Sequence, residues 1–333
     1  MLMARRNALV MNIPGLIFIC VILAWSRAAF SGDIPTVKQA TDPSLPPLLA
    51  DRLRDHVSHL ALEIGQRNIF HSHALHAAAD YIRNQWITQG YQVRSQFYHA
   101  NEVKSENLEV SRTGKTKPHE IIIVGAHYDT VEGSPGANDN ASGIAALIEL
   151  SRFFAAVETE RTLRFVAFAN EEPPFFFWGQ MGSGVYAETA KACGDDIRLM
   201  ISLEMLGSYS DEPGSQNYPP FFKYFYPDRA NFIAMVSNQA SHKELKQLVA
   251  AFKAHSDFPV ESLATFEFIP GVAWSDHLSF WREGYPAVMV TDTAFYRYDA
   301  YHMAEDTPEK LNYPAMARVV KGLFHALKAL KLH

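Results

Sequence analysis

The chain is expected to fold as an α/β sandwich around a mainly parallel sheet, and three observations predict this. Short, apolar, β-branched runs recur at Ile121–His127, Leu163–Ala169, Ile197–Met205 and Ala287–Thr291, which suits strands buried on both faces. Segments with helical spacing stand between them, so strands and helices alternate. The 333 residues are 48% hydrophobic and 20% charged, which supplies one large core and excludes general disorder. No internal repeat and no clear mid-chain linker appears, so one domain from residue 48 to residue 333 is expected. The net charge of −6, with no basic run, gives no footprint for nucleic acid.

In chain order, Leu48–Gln66 has helical spacing through Leu49, Leu53, Val57 and Leu60. A second helix is expected over Ser72–Gln89, with Gly90 as its C-cap. Tyr91–His99 alternates as a half-buried strand does, and Ser105–Arg112 resembles another, with Gly114 in a turn. After the strand Ile121–His127 comes a Gly- and Pro-rich loop, then a helix over Ala141–Ala156. Beyond Leu163–Ala169 the pattern predicts a helix at Gly182–Cys193 and a strand at Ile197–Met205. Strands at Phe232–Val236 and Val260–Phe268 flank a helix at His242–Lys253. Thr307–Leu332 opens on Thr-Pro-Glu, a cap with Pro in the first turn, and is read as the last helix. Gly207–Arg229, with four prolines and many aromatics, is a long loop of the kind that carries function.

Residues 1–31 are read apart from the fold. Arg5 and Arg6 precede the apolar run Pro14–Trp25, and small residues follow, which is the order of a secretory signal. The run is short for a membrane span, and the alternative is an uncleaved anchor. Cleavage after Ala28 or after Ser31 fits equally. The segment carries three arginines and no acid, so its removal takes the net charge from −6 to −9. The expected location is therefore periplasmic or secreted, with membrane attachment only if the segment stays. Residues 32–47 read as a linker. Of two cysteines, Cys20 leaves with the signal and Cys193 cannot pair alone. Cys193 is read as a small buried hydrophobe.

The residues that carry chemistry gather at strand ends, where ligands bind in open α/β sheets. His127 and Asp129 end the first buried strand, and Asp139 follows its loop. Glu171 and Glu172 follow the next strand, and Glu204 ends a third. Asp276 and His277 precede Ala287–Thr291, and Tyr301 and His302 follow it. Singly, each has an ordinary reading: Asp139 as an N-cap, Glu171–Glu172 as a solvated turn, His302 as a surface histidine. Together, two His with several carboxylates suit a divalent metal with nitrogen and oxygen ligands. In an adjacent Glu pair, one carboxylate can hold metal while the other moves a proton. Asp129 can orient the His127 ring from behind. Gly182-Ser183-Gly184 is not a complete nucleophile elbow, and no P-loop or dinucleotide fingerprint occurs.

The motifs GAHYDT, GANDNASG, ANEEPP followed by GS, SLEMLG, SDHLSFW and YHMAEDTPEKL occur in this order between Ile121 and Leu311. This set resembles the M28 family of zinc aminopeptidases. The resemblance implies a three-layer α/β/α sandwich with a mixed, mainly parallel sheet of the zinc-exopeptidase kind. It implies a pair of zinc ions, with one as the alternative, and peptides with a free N-terminus as substrates. Carried over by position, His127 and Glu204 would hold one zinc, Glu172 and His302 the other, and Asp139 would bridge them. Glu171 would be the general acid/base, and Tyr301 would stabilise the oxyanion. Asp129 and Asp276 would stand behind the ligands. Many family members carry Asp where this chain has Glu204, so a Glu pointing away from the site is the alternative at that position. Glutaminyl cyclases share the fold with a single zinc and are a second functional reading. A non-catalytic binding domain is a third, although it would be expected to have lost Glu171 or a ligand.

The sequence does not reveal a side-chain preference. Phe175–Trp178, Phe221–Tyr226 and Phe280–Trp281 are candidates for an apolar pocket. Nor does the sequence reveal the oligomeric state.

Overall fold

The computed structural model describes residues 45–176 and 180–332. The expected leader, most of the linker, Cys20 and Trp178 lie outside these residues. Seven α-helices are described among these residues: α1 Leu45–Ser58, α2 Ser72–Thr88, α3 Gly143–Phe154, α4 Gly182–Cys193, α5 His242–His255, α6 His277–Arg282 and α7 Tyr313–Ala329. The strands are β1 Arg94–Ala100, β2 Val103–Arg112, β3 Lys117–His127, β4 Arg161–Phe168, β5 Asp196–Glu204, β6 Ile233–Asn238, β7 Val260–Thr265 and β8 Ala287–Thr291.

All eight strands form one sheet in the order β1-β2-β4-β3-β5-β8-β6-β7. The central run β4-β3-β5-β8 is parallel, as is β6 with β7, while β1–β2, β2–β4 and β6–β8 are antiparallel. The sheet is thus mixed with a parallel middle, as expected. The long apolar runs became the middle strands, where helices cover both faces.

The helices fall into two groups. On one face α3 lies across β3, β4 and β5, with α1, α2, α5 and α7 packed around it. On the other, α4 and α6 pack together against β2, β5 and β8. Alternating residues serve the two cores. Ile121, Ile123, Phe168 and Met200 meet Tyr186, Ala187, Leu278 and Phe280 from α4 and α6. On the opposite face Phe165 packs on Phe154 of α3, which in turn packs on Phe324 of α7. Each such side chain, fully buried, contributes about 1.5–3 kcal/mol.

Several boundaries differ from the sequence reading. Helix α1 begins at Leu45, inside the expected linker, because Pro46 and Pro47 sit in a first turn whose N–H groups need no partner. The strand expected to reach Phe268 stops at Thr265. The last helix begins at Tyr313, not Thr307: Pro308–Lys310 makes one short turn, Leu311 is extended, and Asn312 caps α7 by accepting from the Ala315 N–H. Cys193 is exposed, not buried, because it ends α4 beside the solvent-facing Gly194. Phe280 and Trp281 belong to the core and not to a pocket. Phe175 packs in a small cluster with Ala100 and Met181. No helix among the described residues is long and apolar enough to cross a membrane.

One buried charge is shared among the first-face helices. Glu149 of α3 has no exposure. It accepts from Arg52 Nε at 3.0 Å and Arg152 Nη2 at 2.6 Å, and meets His56 Nε2 at 3.3 Å. Burial alone would raise its carboxyl, but His56, Arg152 and Arg52 together hold it at about 2, down from an ordinary 4.5. A carboxyl lowered by folding stabilises above its unfolded value and loses that stability as pH falls through the folded one. Wild-type stability should therefore fall between about pH 4.5 and 2 from this group. In Glu149→Gln, urea unfolding should show a loss of about 1–3 kcal/mol at neutral pH and a shallower decline on acidification.

Candidate metal centre

The parallel strands β4, β3, β5 and β8 run side by side, so their carboxyl ends share one edge of the sheet. That edge gathers the candidates. His127 ends β3, Glu204 ends β5, and Glu171–Glu172 follow β4 by a short loop. Asp139 comes from the irregular turn Ala137–Ser142 after β3. Tyr301 and His302 come from the loop between β8 and α7.

Asp139 stands at the centre. Its Oδ1 is 3.4 Å from His127 Nε2, and its Oδ2 is 3.2 Å from His302 Nε2. His127 Nε2 is also 3.3 Å from Glu204 Oε2, and His302 Nε2 is 3.2 Å from Glu172 Oε2. Two groups of three donors result, His127–Asp139–Glu204 and Asp139–Glu172–His302, with the donor atoms in each within 4.8 Å of one another. Glu171 Oε2 lies 3.9 Å from His127 Nε2. Tyr301 stacks on the His302 ring with centroids 3.8 Å apart. Glu204 points into the site, where its Oε2 accepts from Ser275 Oγ at 2.7 Å; the extra methylene relative to Asp is accommodated.

Other residues fix these positions. Asp129 Oδ1 accepts the N–H of Glu171 and its Oδ2 that of Glu172, both at 3.1 Å. Asp129 thus locks the glutamate pair to the end of β3. It also approaches His127 Nδ1 at 3.5 Å without making a hydrogen bond. The backbone around Asp139 is held from three sides. Asp306 accepts the N–H groups of Asn138 and Asp139 at 2.8 and 3.1 Å. Asn138 donates to Asp292 at 3.0 Å and accepts from Gly207 N–H at 2.8 Å. Asn140 donates to Leu203 O at 2.8 Å and accepts from Gly143 N–H at 3.0 Å. A Cβ at Gly143 would sit 2.3 Å from that same Asn140 oxygen, so the closing glycine of the motif is sterically required. Arg67, fully buried, donates to the carbonyls of Tyr128, Pro135 and Gly136 and pins both ends of the intervening loop.

The electrostatics point to missing positive charge. Burial raises Glu171 well above the carboxylate range; His127 opposes this, while Glu172, Glu204 and Asp276 add to it. Burial and Asp139 push Glu172 up to about 7, and burial pushes the fully buried Asp276 up to about 7. Burial would also raise Asp139, but the imidazoles of His127 and His302 beside it hold it below its ordinary value. Burial would lower His302, yet Asp139 and Glu172 lift it to about 10. Despite this crowding, both His127 ring nitrogens, Glu172 Oε1 and both Asp276 oxygens lack a hydrogen-bond partner among the described residues. Buried polar atoms are rarely left so without cause. Imidazole and carboxylate donors around such a gap fit a divalent cation of the zinc kind.

A model of peptidase family M28 matches residues 107–327. The chain belongs to peptidase family M28. Membership makes it a hydrolase of the metallo-exopeptidase class. This M28 chain is 39% identical over 286 residues to the uncharacterized protein YfbL of Escherichia coli (strain K12), covering 83% of this chain and 87% of that one. It is 28% identical over 244 residues to a probable leucine aminopeptidase of Arthroderma otae, covering 68% of this chain and 58% of the fungal protein. The chain therefore spans little more than half the length of that fungal relative. Its fold is similar to that of BSAP, a zinc aminopeptidase from Bacillus subtilis, with a TM-score of 0.66 at 16% identity, covering 85% and 95% of the two chains. It is also similar to that of Fimbriiglobus ruber glutaminyl cyclase, with a TM-score of 0.64 at 20% identity, covering 90% and 100%. At such identities the likeness is one of fold.

The sequence reading named residues that the structure brings together at this edge: His127, Asp139, Glu171, Glu172, Glu204 and His302, with Tyr301 stacked on His302 and Asp129 tied to the glutamate pair. It missed Arg67, Asn138, Asn140 and Asp306 as supports. Asn138 and Asn140 lie inside the GANDNASG motif and Asp306 inside YHMAEDTPEKL, so for these three a local signal existed. Arg67 had none.

Asp129→Ala should leave the two glutamate N–H groups without their acceptor. Zinc affinity, measured by calorimetric titration, should fall about 10–100-fold, as it does when the groups supporting metal ligands are removed.

Proposed function

We propose that this protein is an exported zinc aminopeptidase with two metal positions, acting on peptides with a free N-terminus. The observation that carries the reading is the pair of three-donor groups sharing Asp139. A single-metal cyclase needs only one of them. Related proteins described as aminopeptidases, and one as a probable zinc metalloprotease, support zinc as the ion.

In this reading His127 and Glu204 would hold one ion and Glu172 and His302 the other, with Asp139 a donor in both groups. Bound zinc supplies a Lewis acid that polarises the scissile carbonyl and makes water nucleophilic near neutral pH. Glu171 takes a proton from the attacking water as the C–O bond forms, then delivers it to the leaving amine as the C–N bond breaks. Burial raises the Glu171 carboxyl, the direction that helps it hold the proton between the two steps. Tyr301 keeps its proton, because burial and then Asp139 and Glu172 raise its phenol. It is therefore a donor available to the oxyanion of the tetrahedral intermediate. Asp129 keeps Glu171 and Glu172 in place as the proton moves.

A cavity of about 110 Å³ opens beside Glu204 and Tyr301, with a largely apolar lining. Phe222 and Tyr226 from the long loop after β5 form part of its wall. It is placed to receive the side chain of the residue being released. Residues 1–31 are read as the export signal on sequence grounds alone, and the attachment they would give if uncleaved is the one membrane contact proposed.

Glu171→Gln should retain its zinc content and fold while kcat falls about a hundredfold to ten-thousandfold on aminoacyl reporter substrates. Unchanged kcat would remove the proposed proton path. A peptide with N-terminal glutamine separates the two chemistries by mass: release of free glutamine is expected, and loss of ammonia with the chain intact would favour the cyclase.

A further inference from the structure

The glutamate pair after β4 meets a geometric constraint. In an extended strand consecutive side chains point to opposite faces of the sheet. Glu171 and Glu172 are consecutive, yet Glu171 Oε2 lies 3.9 Å from His127 Nε2 and Glu172 Oε2 lies 3.2 Å from His302 Nε2, so both reach one site. Their N–H groups also converge, since both go to the Asp129 carboxylate. Asn170, the residue before them, makes this possible. It sits at φ +60, in the left-handed region that glycine and asparagine enter most readily. The strand ends at Phe168, and the turn at Asn170 breaks its alternation just before the pair.

A polar cluster from the two strands at the β1 edge holds this turn. Asn170 is 1% exposed, and its Nδ2 donates to Ser105 Oγ at 2.8 Å and to Tyr98 Oη at 3.0 Å. Tyr98 of β1 and Ser105 of β2 stand opposite each other in the sheet. Tyr98 Oη donates in turn to Ala169 O at 3.1 Å, which also accepts the Gly182 N–H at 2.7 Å. Asn107 Oδ1 accepts the Ala169 N–H at 3.2 Å. Burial raises the Tyr98 phenol, so it keeps the proton it donates. Strands β1 and β2 supply none of the six metal-centre donors, and this cluster is their link to it.

We infer that Asn170 is a positioning residue whose left-handed turn, fixed by Tyr98 and Ser105, aims Glu171 and Glu172 together into the metal centre. This deepens the aminopeptidase reading and rests on it. Asparagine meets both demands of the position. Glycine would take the turn but bring no hydrogen bond, and alanine would resist the turn and bring none either. Aspartate would add a carboxylate to a site already crowded with them. Loss of the turn removes no ligand and leaves the apolar cavity intact, because the cavity is walled by β5 to β8 and the loops that follow β5, β7 and β8. The effect therefore falls on proton transfer and on the Glu172 metal position, and not on capture of the released residue.

The test compares wild type with Asn170→Ala, Asn170→Gly and Tyr98→Phe. Zinc affinity is read by calorimetric titration of the metal-free proteins, kcat and KM on a leucyl reporter at saturating zinc, and folding by urea. Asn170→Ala should lose about 10–100-fold in both kcat and zinc affinity, the range for groups that support metal ligands, with KM nearly unchanged. Asn170→Gly, which keeps the turn, should recover most of that loss. Tyr98→Phe, which keeps Asn170 and its bond to Ser105, should fall between wild type and Asn170→Ala. Wild-type kcat and zinc affinity in Asn170→Ala, a glycine variant no better than the alanine one, or a raised KM at unchanged kcat overturns the role of the turn. Should Asn170→Ala not fold, Tyr98→Phe decides: a loss in both quantities supports the role, and wild-type values overturn it. If the wild type releases no amino acid from any reporter, the aminopeptidase reading falls, and the zinc titrations still decide whether Asn170 places Glu172.

Discussion

Negative charge concentrated in a dry place is the constraint on which the rest of the structure depends. Asp139, Glu171, Glu172, Glu204 and Asp276 are all buried at one sheet edge, and the histidines among them number two. In a low-dielectric interior such groups cannot all ionise beside one another. Protonation relieves them in the absence of a cation, and that is the direction in which Glu171, Glu172, Glu204 and Asp276 are pushed. A pair of dications relieves them far more completely. The fold is arranged so that the carboxylates cannot escape the problem by moving apart.

The means are ordinary hydrogen bonds used at many points. Asp129 ties two backbone N–H groups of the glutamate loop to β3, and Asp306 does the same for the two residues around Asp139. Asn138 and Asn140 stitch the Asp139 turn to the exits of β5 and β8. Arg67 brings a buried positive charge near the same acids while its hydrogen bonds go to backbone carbonyls. It therefore offsets part of the repulsion without occupying any carboxylate oxygen needed at the site. His302 sits at φ +59, an uncommon conformation for a histidine, and its ring meets Asp139 and Glu172 from there.

Much of this was legible because strand ends are legible. The runs ending at His127, Glu171 and Glu204 are apolar and β-branched, and a charged residue after such a run must lie at a sheet edge. The family pattern then joined Asp139 and His302 to them. What escaped had partners distant in the chain. Arg67 reads as a residue after a helix, and its bonds to Pro135 and Gly136 span nearly seventy positions. The Thr-Pro-Glu at residue 307 misled for a local reason: it does start a turn, but Leu311 returns to extended backbone before Asn312 begins the helix. Cys193 misled because a free cysteine is more often buried, whereas this one ends an amphipathic helix on its outer side.

The central claim is that the buried acids exist to hold two cations that share Asp139. Crystals of the zinc-loaded protein, measured on both sides of the zinc absorption edge, test it most directly. The account predicts two anomalous peaks, one among His127, Asp139 and Glu204 and one among Asp139, Glu172 and His302. A single peak at full zinc saturation, or a pair of peaks that leaves Asp139 unligated, would contradict it.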